Sequence, residues 1–171
     1  MFYDHAQQMD SLVHRCLCME MTEVGEFNSF VRLERDSMLR LAVLMVGSVA
    51  EAEEAVQDAF AAVSARWETL ENPGGYLRTS VVNSCRQIIR RRDTARRASP
   101  SPAGPTWQAT TIEMHDALFS LSDRQRIAIV LRYFMDWNDQ EIADSLQCRP
   151  ATVRSLLRRG LNQLRKDLRH D

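Results

Sequence analysis

The sequence predicts an all-α protein built as two small helical domains joined by a flexible linker, and three observations predict it. Apolar residues recur at helical spacing in two separate blocks. No stretch alternates apolar and polar residues long enough to argue for a sheet. Pro100, Pro102 and Pro105, three of the five prolines, fall between the blocks beside serine, threonine and glycine, a composition that cannot build a core. The units are residues 26–97 and 112–171, the linker is 98–111, and residues 1–25 form a leader without sustained periodicity, expected to be a flexible tail. Met21 is an alternative start, because the first periodic stretch begins only a few residues later.

The first helix is expected from Glu26 to Val46, through Phe27, Phe30, Val31, Met38, Leu41, Leu44 and Met45, with Gly47 ending it. Ser48-Val49-Ala50-Glu51 is a capping box that starts a second helix, about Val49 to Trp67. Its apolar side is Ala52, Val56, Ala59, Phe60 and Val63. Its other side holds Glu51, Glu53, Glu54 and Asp58, with no base before Arg66. Compensation of the helix dipole accounts for one or two acids in a first turn. Four leave a basic partner as an equal reading. Asn72-Pro73-Gly74-Gly75 punctuates a loop over 68–75. A third helix, Tyr76 to Arg92, ends in a basic cluster of Arg86, Arg90, Arg91, Arg92, Arg96 and Arg97 against Asp93.

In the second unit a helix over Ile112 to Phe119 precedes one capped by Ser122 and Gln125 and carried by Ile127, Ile129, Val130, Leu131 and Phe134. Asn138 and Glu141 then form a helix-start pattern for a two-turn helix with Ile142, Ala143 and Leu146 on one face. After the turn Gln147-Cys148-Arg149, Pro150 takes a first helical position. The last helix buries Val153, Leu156, Leu157, Leu161 and Leu164 and leaves Arg154, Arg158, Arg159 and Arg165 on the other side. This is a helix-turn-helix pattern. A solvated amphipathic pair is the alternative, but solvated faces mix signs. Residues 147–169 hold seven bases and one acid in a chain of net charge −1. DNA binding follows. With a pI near 6.4, affinity from phosphate neutralisation is weak, so a partner is needed to hold the chain on DNA.

Several classes are excluded. No apolar run is long enough for a membrane-spanning helix, no signal peptide opens the chain, and the chain is expected in the cytoplasm. Cys16, Cys18, Cys85 and Cys148 lack disulfide-framework spacing, which fits a reducing compartment. His5, His14, Cys16 and Cys18 are spaced too poorly for zinc, so no metal is expected. There is no nucleophile–base set, no carboxylate pair and no phosphate-cradling glycine loop; no cofactor and no enzymatic activity are expected.

Two motif sets, in this order, resemble the extracytoplasmic-function sigma factors of bacterial RNA polymerase. Leu41-Ala42-Val43-Leu44, Ala52-Glu53-Glu54-Ala55-Val56-Gln57-Asp58-Ala59-Phe60, Tyr76-Leu77-Arg78 and Val82-Asn83 are similar to the family's region 2. Leu121 to Arg126, Leu131-Arg132-Tyr133, Glu141-Ile142-Ala143 and Thr152-Val153-Arg154-Ser155 are similar to its region 4. The resemblance implies a promoter-specificity subunit whose partners are core RNA polymerase (the largest-subunit clamp and the flap region), promoter DNA and an anti-sigma factor, with a monomer when free. It places the polymerase clamp on Glu53, Glu54, Gln57 and Asp58. It places the −10 element on Trp67, Tyr76, Asn83, Arg86 and Arg90, and the −35 element on Arg149, Thr152, Arg154, Ser155 and Arg158. Trp67 could equally pack on the first helix. Gln147 stands where the family's turn commonly has glycine, predicting a mildly strained left-handed residue. Leu156 stands where many members carry a polar residue, so it joins the core or covers a partner. The rival functions are a stand-alone helix-turn-helix regulator and a sigma-like interaction module.

Overall fold

The computed structural model describes the backbone over residues 4–98 and 112–168, and side chains over 25–95 and 114–168. Every regular element among the described residues is a helix: α1 (Asp4–Val46), α2 (Val49–Ser64), a 3-10 turn (Trp67–Thr69), α3 (Pro73–Ala98), α4 (Ile112–Ser120), α5 (Asp123–Tyr133), α6 (Asp139–Leu146) and α7 (Pro150–Asp167). There is no strand among them.

Besides α2 ending at Ser64 and α3 running on to Ala98, two boundaries differ from the sequence reading in ways that bear on the fold. α1 begins at Asp4, not at Glu26, so the helical backbone continues through residues expected to form a flexible tail. Nothing in the composition stops it: between Asp4 and Val46 there is no proline and only one glycine, Gly25. The prolines of 99–111 and the side chains of His5, His14, Cys16 and Cys18, whose spacing argues against zinc, lie outside the described residues. At the other boundary, Pro73-Gly74-Gly75 form the first turn of α3 instead of a loop. Asn72 caps it, accepting from Gly75 N–H at 2.9 Å through Oδ1 while Tyr76 N–H donates to its carbonyl at 3.1 Å. Proline suits a first turn because its absent N–H would have no partner there.

α1, α2 and α3 pack as a three-helix unit around Leu41, Met45, Ala52, Val63, Leu77 and Val81, all fully buried. Cys85 belongs to the same core, and burial pushes its thiol up to about 12, leaving it protonated at neutral pH. α4 to α7 form the second unit, with Ile127, Leu131, Ile142, Ala143 and Val153 inside. Gly160 lets α7 approach α5 closely, since a Cβ there would lie 2.6 Å from Ile129 Cδ1. Leu161, expected on the buried stripe, is only half-buried; helical rotation hands its place to Gly160 and Leu164.

The two units are not separate bodies. One continuous apolar cluster joins Leu41 and Met45 to Ile127 and Leu131. The junction is the C-terminal end of α1, where a helix leaves carbonyls without intrahelical donors. Arg92 of α3 donates to Val46 O at 2.6 Å, and Arg126 of α5 donates through Nε to Met45 O at 3.1 Å. Arg92 also pairs with Glu51, its Nε 2.8 Å from Oε1. The expected Ser48–Glu51 capping box is therefore only half formed: Ser48 Oγ accepts from Glu51 N–H at 3.5 Å, but the carboxylate turns to Arg92.

Arg126 is 4% exposed, the one charged side chain buried among the described residues. Burial pulls its guanidinium below arginine's ordinary value, opposed by Asp123 and then Asp93. Its Nη2 bonds Asp123 Oδ1 at 2.5 Å, and its plane lies 4.2 Å from the Phe119 ring centre. Phe119 in turn stacks on His115, with centroids 4.4 Å apart, and its edge lies over Gly47.

Turn chemistry agrees with the sequence in the second unit. Asn138 Oδ1 accepts from Gln140 and Glu141 N–H, and Glu141 Oε2 accepts from Asn138 N–H at 2.7 Å. Gln147 ends α6 in the left-handed region at φ 51, ψ 54. Gln147→Gly is expected to raise stability by up to about 1 kcal/mol, because glycine holds this conformation without a Cβ penalty. The check is a higher urea midpoint at unchanged slope; an equal or lower midpoint would show that the unfolded-state entropy of glycine outweighs the relief.

Candidate nucleic-acid interface

α6, the turn 147–149 and α7 make the helix-turn-helix. Cys148 N–H donates to Ala143 O at 2.9 Å, closing α6, and Thr152 N–H donates to Arg149 O at 2.8 Å, opening α7. Val153, Leu156, Gly160 and Leu164 turn inward. The opposite arc carries the predicted residues: Arg149, Arg154 and Arg158 are exposed, Thr152 and Ser155 half-buried. Leu156 is 6% exposed and joins the core, so it offers nothing to a ligand. Among the described residues Arg149 and Arg158 make no ion pair, while Arg154 Nε lies 3.8 Å from Asp139 Oδ2. The other oxygen of Asp139 is held by Arg132 Nη2 of α5.

In the first unit Glu53, Glu54, Gln57 and Asp58 are all exposed on α2, opposite its buried Ala52, Ala55, Val56, Ala59 and Val63. Glu51, on the same helix, is turned to Arg92. The acidic face is thus one residue narrower than the sequence suggests.

The five residues placed on the −10 element do not share one environment. Asn83 and Arg90 are exposed on α3. Arg86 is half-buried, and its guanidinium is pulled down first by burial, then by Arg90 and Arg124. Arg124 belongs to α5, so the second unit abuts this basic face. Trp67 packs on α1: its ring centre is 5.2 Å from those of both Phe27 and Phe30. Tyr76 lies under Arg66, 5.7 Å from guanidinium carbon to ring centre. Both aromatics are half-buried.

Sequence reasoning missed Asp139, Arg132, Arg126 and Arg92, which act between helices. Asp139 signals only a favourable first-turn acid, and arginines on amphipathic helices look like surface.

A family model described as Sigma-70 region 2 matches residues 30–95, and one described as Sigma-70, region 4 matches 117–166. An RNA polymerase sigma-E factor of Streptomyces coelicolor is 33% identical over 159 residues, covering 86% of this chain and 89% of that protein. The chain is an extracytoplasmic-function sigma factor. RNA polymerase sigma-E factors of Streptomyces antibioticus and Streptomyces avermitilis, each 30% identical, cover 88% and 85% of it. A solved structure of the sigma factor RpoE in complex with the anti-sigma factor NepR from Bartonella quintana has the same fold. Its TM-score is 0.70 at 22% identity, and the match covers 85% of this chain and 98% of that one. In this sigma factor the region 2 match takes in the acidic face of α2 and the basic face of α3, and the region 4 match takes in the helix-turn-helix. The junction at Gly47, Phe119 and Arg126 lies between the two matched regions, each side contributed by one of them.

Proposed function

We propose that this sigma factor binds core RNA polymerase and directs promoter-specific initiation, reading the −35 element with α7 and the −10 element with α3 and the turn before it. One observation carries the reading. A chain of net charge −1 concentrates exposed arginines on the outer arc of a helix-turn-helix, and sets four exposed acidic or amide side chains on another helix in the other unit. DNA needs the first surface, a basic protein partner needs the second, and the partner supplies the hold on DNA that net charge does not.

In this reading residues 26–97 serve the polymerase clamp and the −10 element, residues 112–171 the −35 element and the flap, and 98–111 connect them. Glu53, Glu54, Gln57 and Asp58 dock on the clamp. Arg149, Thr152, Arg154, Ser155 and Arg158 face the −35 major groove. Asn83, Arg86 and Arg90 line the path of the −10 strand, beside Trp67 and Tyr76. Promoter melting unstacks a base at a cost of a few kcal/mol, and aromatic stacking returns about 1–3 kcal/mol per base. The protein is a monomer when free, acts in the cytoplasm, performs no catalysis itself, and is held inactive by an anti-sigma factor that covers the polymerase-binding faces. No described helix is long and apolar enough to cross a membrane.

Run-off transcription with purified core polymerase on a library of promoter-sized fragments tests the proposal. Defined start sites that appear only with this protein are expected. Polymerase binding without starts would replace it with the interaction-module reading. DNA binding by the protein alone, with neither polymerase binding nor starts, would replace it with the stand-alone regulator.

A further inference from the structure

We propose that Asp139 is a specificity-determining positioning residue: it turns Arg154 into a reader of a guanine edge in the −35 element, and leaves Arg149 and Arg158 as phosphate contacts. The proposal rests on the reading of α7 as the −35 helix. It separates roles that residue spacing alone leaves mixed.

The geometry is a carboxylate shared by three helices. Asp139 is the first residue of α6, next to the Asn138 cap, where an acid is favoured by the helix dipole. Arg132, in the last turn of α5, holds one of its oxygens. The other faces Arg154 Nε of α7 at 3.8 Å. Asp139 and Arg132 are each about a third exposed, whereas Arg154 is 69% exposed. The anchor is therefore partly shielded and the arginine it steers projects into solvent.

Two consequences follow from the chemistry of guanidinium. It is a rigid planar fork, and a carboxylate 3.8 Å from Nε, beyond hydrogen-bond distance, biases its orientation by charge and leaves the terminal Nη1–Nη2 edge outward. That edge can donate two parallel hydrogen bonds to O6 and N7 of guanine, the commonest specific contact to a base. The second consequence is electrostatic. Arg132, Asp139 and Arg154 together carry one net positive charge, so the carboxylate that Arg132 already holds lowers, without cancelling, the charge Arg154 offers a phosphate. Arg149 and Arg158, which have no such partner among the described residues, keep their full charge for the backbone. Asp139 thus trades affinity at Arg154 for discrimination.

The test uses the full chain in holoenzyme with core polymerase. Binding and run-off are measured on duplexes carrying every single substitution across the −35 element of a promoter that the unaltered protein uses. Asp139→Asn and Arg154→Lys are both expected to lose discrimination at the same single base pair, by at least about fivefold. Asp139→Asn is also expected to steepen the salt dependence, as the released Arg154 turns to a phosphate. Arg158→Ala should leave base preference intact and flatten the salt dependence by about one unit of slope. Should the amide variant not fold, Asp139→Glu keeps the charge but moves it outward by one methylene, and the same base-specific loss is expected. Full discrimination by the Asp139 variants overturns the proposal, and so does a loss spread evenly over all positions or one at a different base pair from Arg154→Lys. An unaltered protein that prefers no base anywhere in the −35 element would instead overturn the promoter-reading function itself.

Discussion

Arg126→Ala is expected to lower the stability of the free protein by about 2–4 kcal/mol and to let its two units part. The side chain is buried and serves three groups in two units: Met45 O at 3.1 Å, Asp123 Oδ1 at 2.5 Å and the Phe119 face at 4.2 Å. Leaving a buried carbonyl without its donor costs about 1–3 kcal/mol, and a partly desolvated cation–π contact adds about 1–2 kcal/mol. Asp123 contributes little, because its side chain is a third exposed and solvent takes over. Arg126→Met, which keeps an apolar stem over Phe119 but donates nothing, should cost less and so isolate the hydrogen bond. Urea denaturation gives the first number and small-angle scattering the second, as a larger radius of gyration. Unchanged stability and size would show that the apolar cluster holds the units together unaided. Initiation itself is expected to survive. Elements centred roughly 25 base pairs apart are about 85 Å apart on B-DNA at ~3.4 Å per base pair, while the two units here are packed against each other through one apolar cluster. The packed arrangement cannot straddle both elements, so loosening the junction removes a step that initiation has to make anyway.

Gly47→Ala should cost about 2–4 kcal/mol, for two separable reasons. Gly47 has φ +76, a left-handed conformation that costs an alanine about 1–2 kcal/mol. Its new Cβ would also lie 2.3 Å from Phe119 Cε1 and 2.7 Å from Cζ, distances at which the ring has to move. The ring cannot slide without loss, since His115 stacks on it at 4.4 Å and the Arg126 guanidinium lies 4.2 Å from its centre. Displacing such a packed aromatic costs about 1–3 kcal/mol. Pairing the change with Phe119→Ala separates the terms. The ring's absence should remove the collision and leave only the backbone cost, so the double variant is expected to be more stable than the sum of the singles predicts. Strict additivity in thermal unfolding would show that Phe119 does not sit on Gly47 in solution.

Local signals predicted most of this fold. Gly47 after Val46, the Asn138–Glu141 box, Pro150 at a first helical position and the strained Gln147 each depend on residues within one turn, and each appears in the structure. The inward faces of α2 and α7 followed from periodicity, although Phe60, Leu157 and Leu161 are only half-buried. What stayed hidden is long-range. Arg126 and Met45 are 81 residues apart, and Arg92 and Val46 are 46 apart. A helical repeat says which face is buried but not which neighbour buries it, and an arginine in an amphipathic pattern reads as solvated. The start of α1 was misplaced for a different reason. Absence of apolar periodicity argues against a packed face and not against helix, which the absence of proline and near absence of glycine permit. The charge of the candidate surfaces was legible in the sequence: Glu53, Glu54 and Asp58 are exposed on α2, and Arg154 and Arg158 are exposed on α7 beside its N-cap Arg149. Their wiring, Asp139 to Arg154 and Glu51 to Arg92, was not, because an ion pair between helices leaves no periodic trace.

Trp67, wedged between Phe27 and Phe30, gives the protein an optical handle. An indole in that setting emits from an apolar, edge-on cage. Capture of a flipped base by the same ring requires it to exchange phenylalanine neighbours for a nucleobase, which quenches indole emission by electron transfer. On the proposed −10 role, strand engagement is therefore expected to change Trp67 emission, read against the emission of Trp107 and Trp137.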